Sequence, residues 1–201
     1  MSTELMTREI RRTWFVQVTA GEFAGFLAPA LAGALAAPTP VLVPAGLAEG
    51  AILGTAQWWA LRRTFPALSG RSWISMTALA AAFAWAVALI AVDNAARLNS
   101  LPAPALLLLA TISGTAVLLS LGTGQWLVLR RHVRGGSIWI WANALAWAAG
   151  LLVFGAVTTP LWQPGQSTVV IALIGALGGL LMAATMAAVT GHFLIRLVER
   201  S

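Results

Sequence analysis

The chain of 201 residues is 59% hydrophobic and only 9% charged, with a mean hydropathy of +0.85. In soluble domains roughly a quarter of the residues are charged. This composition therefore excludes an ordinary soluble domain and predicts an all-α integral membrane protein. The net charge of +6 comes from twelve Arg residues and no Lys. Because these Arg residues cluster between apolar runs, they indicate membrane orientation and argue against nucleic acid as a partner. The chain has no Cys, which excludes disulfides and thiolate chemistry.

Six apolar stretches are long enough to cross a hydrocarbon core, which takes about 20 helical residues. We therefore expect six transmembrane helices in a single membrane domain, residues 1–201. The predicted spans are Thr13–Leu35, Pro44–Leu61, Trp73–Val92, Pro104–Leu129, Ile138–Val157 and Thr168–Leu197.

Arg residues are concentrated on alternate connecting segments. Four groups lie before, between or after pairs of spans: Arg8, Arg11 and Arg12; Arg62, Arg63 and Arg71; Arg130, Arg131 and Arg134; Arg196 and Arg200. The intervening loops carry Arg97 alone. By the positive-inside rule both termini are predicted to be cytoplasmic in a cell inner (plasma) membrane. The adjacent pairs Arg62–Arg63 and Arg130–Arg131 are predicted to contact anionic lipids.

A motif recurs at the ends of two spans. It reads G-T-A-Q-W-W-A-L-R-R at Gly54–Arg63 and G-T-G-Q-W-L-V-L-R-R at Gly122–Arg131, with seven of ten positions identical and a period of 68 residues. A degenerate copy of the motif, G-H-F-L-I-R-L, begins at Gly191. The pattern predicts three two-helix units, at about residues 11–63, 71–131 and 136–197, related by a pseudo-threefold axis along the membrane normal.

These motifs resemble those of a group of bacterial multi-pass membrane proteins that repeat helices ending in G-x-x-Q-W-L-x-L-R and then W-x-x-x-x-x-L-G-W. The resemblance covers nearly the whole chain and implies the repeat, but no activity. The second half of the pattern is clear from Trp139 to Trp147 and weak from Trp73 to Trp85. In the first span, the position eight residues after Trp14 holds Glu22 instead of Trp.

Helix packing accounts for several other conspicuous residues. Gly46, Gly50 and Gly54 recur every four residues, so they expose bare backbone on which a neighbouring helix can pack closely. Buried amides at Gln57 and Gln125 are expected mainly to hydrogen-bond between helices, and they remain secondary candidates for a ligand site. An aromatic belt at the membrane interface is the expectation for six Trp residues. They are Trp14, Trp58, Trp59, Trp73, Trp126 and Trp139.

Glu22 and Glu49 are the candidate ligand- or ion-binding residues. Counted from the Arg residues at the same membrane face, they lie about 15 and 20 Å into the bilayer at the helical rise of 1.5 Å per residue, so they can meet near the midplane. A carboxylate there costs several kcal/mol unless it is protonated, paired or hydrated, so it marks either a site or a specific polar contact between helices. Asn143 is predicted to join this polar centre from the third unit.

Nothing in the sequence resembles a nucleophile with its base, a phosphate loop or a metal triad, so we expect neither catalysis nor a metal site. No cofactor is indicated. Two hypotheses remain. In the first, the polar centre binds a small molecule or ion for transport or permeation. In the second, the protein is a non-transporting accessory or scaffold subunit, or binds a hydrophobic pigment, quinone or lipid. A membrane-protein partner or a second copy of the chain is the candidate partner.

Overall fold

The structure is a computed structural model that describes residues 3–34 and 39–199. Within these ranges it contains seven α-helices and no strand. Five of the helices are long and apolar enough to cross a membrane by length and composition, which makes the chain an all-α multi-pass membrane protein. The helices are α1 (Thr3–Ala34), α2 (Thr39–Leu61), α3 (Gly70–Asp93), α4 (Ala95–Asn99), α5 (Ala103–Leu129), α6 (Ile138–Leu161) and α7 (Thr168–Val198).

The predicted span Pro44–Leu61 lies inside α2, which is not among those five helices. Polar residues such as Glu49 and Gln57 lower the hydropathy of this helix. The structure thus confirms a helix here, and the sixth membrane crossing stays a prediction.

The helix bounds follow the predicted spans closely at most ends. The main departure is α1, which begins at Thr3, ten residues before the predicted start at Thr13. Its first turns are charged but helical in pattern, since Glu4 precedes Arg8 by four residues, a spacing that stabilises helices. The short α4 was not predicted. Ser69 and Ser167 cap α3 and α7, accepting hydrogen bonds from the backbone three residues on.

The six long helices form a closed ring. Each packs against two neighbours, in the order α1, α2, α3, α5, α6, α7 and back to α1. Two short connections, residues 62–69 and 130–137, lie at one end of the ring together with Arg12 and the end of α7. We call this the Arg-rich end. In α5 the buried residues all fall between Leu121 and Leu129, in the half next to the Arg-rich end. The buried part of α5 is therefore the half next to that end.

Candidate functional site

A layer of buried side chains crosses the ring near the Arg-rich end. All six long helices contribute to it, and each member is at most 4% exposed. We call it the indole–amide layer, and its members are Trp14 (α1), Gln57 (α2), Trp73 and Thr77 (α3), Gln125 (α5), Trp139 (α6) and Thr190 (α7).

The two Gln side chains of the indole–amide layer bond directly to each other. Gln125 Nε2 donates to Gln57 Oε1 at 2.6 Å and also to Thr77 Oγ1 at 3.1 Å. Because α2 and α5 are separated in the ring by α3, this bond bridges the interior of the ring. Both amides are buried and hydrogen-bonded within the protein, as expected for polar groups inside a membrane helix bundle.

Three Trp residues complete the layer, each with its indole N–H donating to a polar side chain. Trp73 donates to Gln57 at 3.2 Å, Trp139 to Gln125 at 2.8 Å, and Trp14 to Thr190 at 3.0 Å. The ring of Trp139 also packs against those of Trp14 and Trp73, with centroids 5.6 and 6.4 Å apart.

The predicted aromatic belt is therefore wrong for these three Trp residues, which are at most 1% exposed. Their spacing from the Arg residues placed them at the membrane edge, but spacing alone does not show whether a side chain faces lipid or the ring interior. The other three residues of the predicted belt are at least partly accessible, and Trp59 is 50% exposed.

A cavity of about 330 Å³ lies beyond the indole–amide layer, on the side away from the Arg-rich end. All six long helices line it, for example through Glu22, Glu49, Ala81, Ser120 and Trp147. Most of the wall is apolar, so the two carboxyl groups are the dominant polar feature of the cavity.

Glu22 and Glu49 are brought together in this cavity, at 4% and 7% exposure. Close packing of α1 on α2 produces this, because a Cβ added at Gly25 would lie 3.3 Å from Cγ of Glu49 and 2.9 Å from its backbone oxygen. Trp85 Nε1 donates a 2.6 Å hydrogen bond to Glu49 Oε2. Among the described residues, none donates a hydrogen bond to Glu22.

The cavity lies at a constant distance along the helices from the indole–amide layer. Glu22, Ala81 and Trp147 follow Trp14, Trp73 and Trp139 by eight residues, about 12 Å of helix. All three line the cavity, on the first helix of each predicted unit. Trp147 Nε1 is buried without a hydrogen-bond partner.

The other candidate residues lie elsewhere. Asn143 is buried, but its side chain donates to the backbone oxygen of Trp139 at 3.0 Å on its own helix, and it does not line the cavity. Gln57 and Gln125 are bound within the indole–amide layer. The structure thus brings Glu22 and Glu49 together in the cavity and separates them from the three amides.

Two features of the cavity were missed in the sequence. The first is Trp85 as the hydrogen-bond partner of Glu49, which could not be predicted without knowing how α2 faces α3. The second is Trp147. The repeat pattern identifies it as the equivalent of Glu22 in the first span, but the pattern does not show that this position faces a cavity.

The Arg-rich end carries cation–π contacts and a surface groove. The guanidinium of Arg62 lies 4.3 Å from the ring centroid of Trp59, and that of Arg130 lies 5.3 Å from that of Trp126. A groove of about 680 Å³ runs along the start of α1, where Arg8, Arg11 and Arg12 share its wall with Glu4 and Glu199, among others.

A scan against protein-family models found no match, and searches of curated proteins and of solved structures found none either. The functional argument therefore depends on the cavity and its side chains. In the described part of the chain, no group of three His, Cys, Asp or Glu side chains is placed to hold a metal ion.

Proposed function

We propose that this protein crosses the membrane six times, as three two-helix units with both termini cytoplasmic, and binds a small ligand or ion in its central cavity for transport or permeation. The observation that carries the proposal is the cavity itself, which all six long helices line and which holds Glu22 and Glu49. If these carboxyl groups served only to join helices, we would expect no cavity beside them.

The three-unit arrangement is supported by equivalent contacts. In each unit the first helix supplies a Trp whose indole N–H donates to the second helix of the preceding unit. The pairs are Trp73 with Gln57, Trp139 with Gln125, and Trp14 with Thr190, which closes the ring. Thr190 is one residue before the position that aligns with the two Gln, so the third contact is similar in kind but shifted.

The second candidate function is a non-transporting subunit or a binder of a hydrophobic molecule. The indole–amide layer favours it, because the layer closes the ring between the cavity and the Arg-rich end. In the proposed orientation that end is cytoplasmic, so the ligand would enter from the external half. Anionic lipids at Arg62, Arg63, Arg130 and Arg131 are a separate proposal, consistent with the position of these Arg residues beside interfacial Trp rings.

Thiol accessibility tests the proposed cavity, and the absence of native Cys makes the experiment clean. Ser120 lines the cavity, whereas Thr111 is exposed on the outside of the same helix and does not line it. A Ser120→Cys thiol in contact with water should react with a small membrane-impermeant methanethiosulfonate faster than a Thr111→Cys thiol, because only the thiolate reacts. Equal or slower reaction at Ser120→Cys would refute a hydrated binding cavity.

The same variant separates the two functions in proteoliposomes of known orientation. A transporter exposes its site to each face in turn, so the reagent should modify Ser120→Cys when applied to either face. A protein that only holds a ligand should be modified from one face, the external one. The ratio of the two modification rates decides between the functions.

A further inference from the structure

Among the described residues, no positively charged side chain lines the central cavity beside its two carboxyl groups. The chain has no Lys, and the described lining of the cavity contains neither Arg nor His. Glu49 receives the indole N–H of Trp85, while Glu22 receives no hydrogen bond from a described residue. Unless it is protonated or hydrated, a carboxylate with little access to water needs a counter-charge. A ligand that brings a positive charge would supply it.

The wall of the cavity is unsuited to a small inorganic cation. Calcium takes six to eight oxygen ligands, and magnesium requires an octahedral set or retains several waters. This cavity offers the carboxylates of Glu22 and Glu49 and the hydroxyl of Ser120, in a lining that is mainly Ala, Leu and aromatic residues. These groups supply at most five oxygens, so such an ion would still need waters to complete its coordination in a space whose lining is otherwise apolar.

Aromatic side chains surround the carboxyl groups instead. Phe26 is one helical turn beyond Glu22, and its ring centroid lies 6.1 Å from that of Phe154. Trp85 and Trp147 line the same space. Aromatic faces attract quaternary and protonated ammonium groups, and the attraction grows when the cation is removed from water. Acidic side chains beside aromatic walls therefore favour a weakly hydrated organic cation.

We infer that the central cavity binds an organic cation, with its charged nitrogen at Glu22 and Glu49 and its apolar body against Phe26, Trp147 and Phe154. The inference rests on the proposed ligand-binding function and names its substrate class. A cavity of about 330 Å³ lies at the lower end of the range for small-molecule sites, roughly 300 to 1,000 Å³. We therefore expect the apolar part of the cation to be about the size of one aromatic ring.

Three probes of similar size and different charge test this inference. Phenyltrimethylammonium is the cation, tert-butylbenzene is its neutral isostere, and benzenesulfonate is an anion of similar size. Each is used to protect Ser120→Cys from the small neutral reagent methyl methanethiosulfonate, with the protein in lipid nanodiscs. We expect the cation to halve the modification rate at a concentration at least tenfold below that needed for either other probe.

Two sets of variants identify the groups responsible. On the Ser120→Cys background, Glu22→Gln with Glu49→Gln should remove the preference for the cation. The matched control, Glu4→Gln with Glu199→Gln, removes two carboxylates at the Arg-rich end and should leave the preference intact. Protection that is equal for the cation and the isostere would overturn the organic-cation inference and leave the proposed cavity function standing.

A third result also discriminates. If the reagent modifies Ser120→Cys but no probe protects it, the organic-cation inference is overturned while the cavity is still accessible. If the reagent fails to modify Ser120→Cys under any condition, the proposed binding function itself is refuted.

Discussion

Gln125 donates a 2.6 Å hydrogen bond from Nε2 to Oε1 of Gln57, which lies one repeat period of 68 residues earlier in the chain. The two residues occupy the same position of the recurring motif, on helices that do not adjoin in the ring. Their bond, with those from Trp73 and Trp139, ties four of the six long helices together. It makes the motif a structural element of the bundle interior.

Replacing either Gln by Leu should destabilise the protein. Gln57→Leu leaves the indole N–H of Trp73 and one amide hydrogen of Gln125 without an acceptor, at a cost of about 1 to 3 kcal/mol for buried donors. The double variant should cost less than the sum of the two single variants, because their shared bond is lost only once. Melting temperatures of the single and double variants measure the coupling. Strict additivity would show that the bond contributes nothing.

Glycine positions on α2 and α5 should respond oppositely to Ala. A Cβ at Gly50 would lie 2.6 Å from the Cβ of Ala81, so Gly50→Ala should force α2 and α3 apart and lower stability by about 1 to 3 kcal/mol. A Cβ at Gly114 meets no atom within 4 Å. Gly114→Ala should be neutral or raise stability by up to about 1 kcal/mol, since Ala favours helix more than Gly.

Thermal unfolding in one detergent, under identical conditions, compares these two variants. Equal effects at Gly50 and Gly114 would contradict the close packing of α2 on α3.

Single-Cys labelling in intact cells should settle the number of spans. Six crossings with cytoplasmic termini place a Cys at Ala37 or Ser100 outside and one at Ser69 inside. Ala37 lies outside the described residues, but whether Ala37 and Ser69 lie on opposite sides of the membrane depends on whether α2 crosses. An impermeant reagent should label the first two positions and leave Ser69→Cys unmodified until the cells are opened. Labelling of Ala37→Cys and Ser69→Cys from the same face would exclude α2 as a span.

Much of the fold could be predicted because long apolar runs and Arg clusters report directly on helices and their ends. The six long helices, and the burial of Gln57 and Gln125, follow from such local signals. The first ten residues of α1 were missed because the spans were predicted from hydropathy, and this part of the helix is charged. The inward orientation of Trp14, Trp73 and Trp139 was missed for a different reason, since it depends on how six helices meet.

The candidate site was predicted in part for similar reasons. Depth along a helix can be counted, which brought Glu22 and Glu49 to the same level. Whether side chains at one level meet depends on helix rotation and on close approach at positions such as Gly25. Asn143 was placed at about the right depth but turns to its own helix, which a linear count cannot reveal.

The most direct test of the central claim, that Glu22 is present for a ligand, compares Glu22→Gln with Glu22→Trp. The first keeps volume and hydrogen bonding but cannot ionise, while the second restores the residue that the repeat pattern has at Trp147. Melting temperature and protection of Ser120→Cys by phenyltrimethylammonium are measured on both. We predict that Glu22→Gln stays folded, with little change in melting temperature, and weakens protection at least tenfold, and that Glu22→Trp fills the cavity and abolishes protection. A Glu22→Trp protein that melts higher than the parent and is still fully protected would contradict the account.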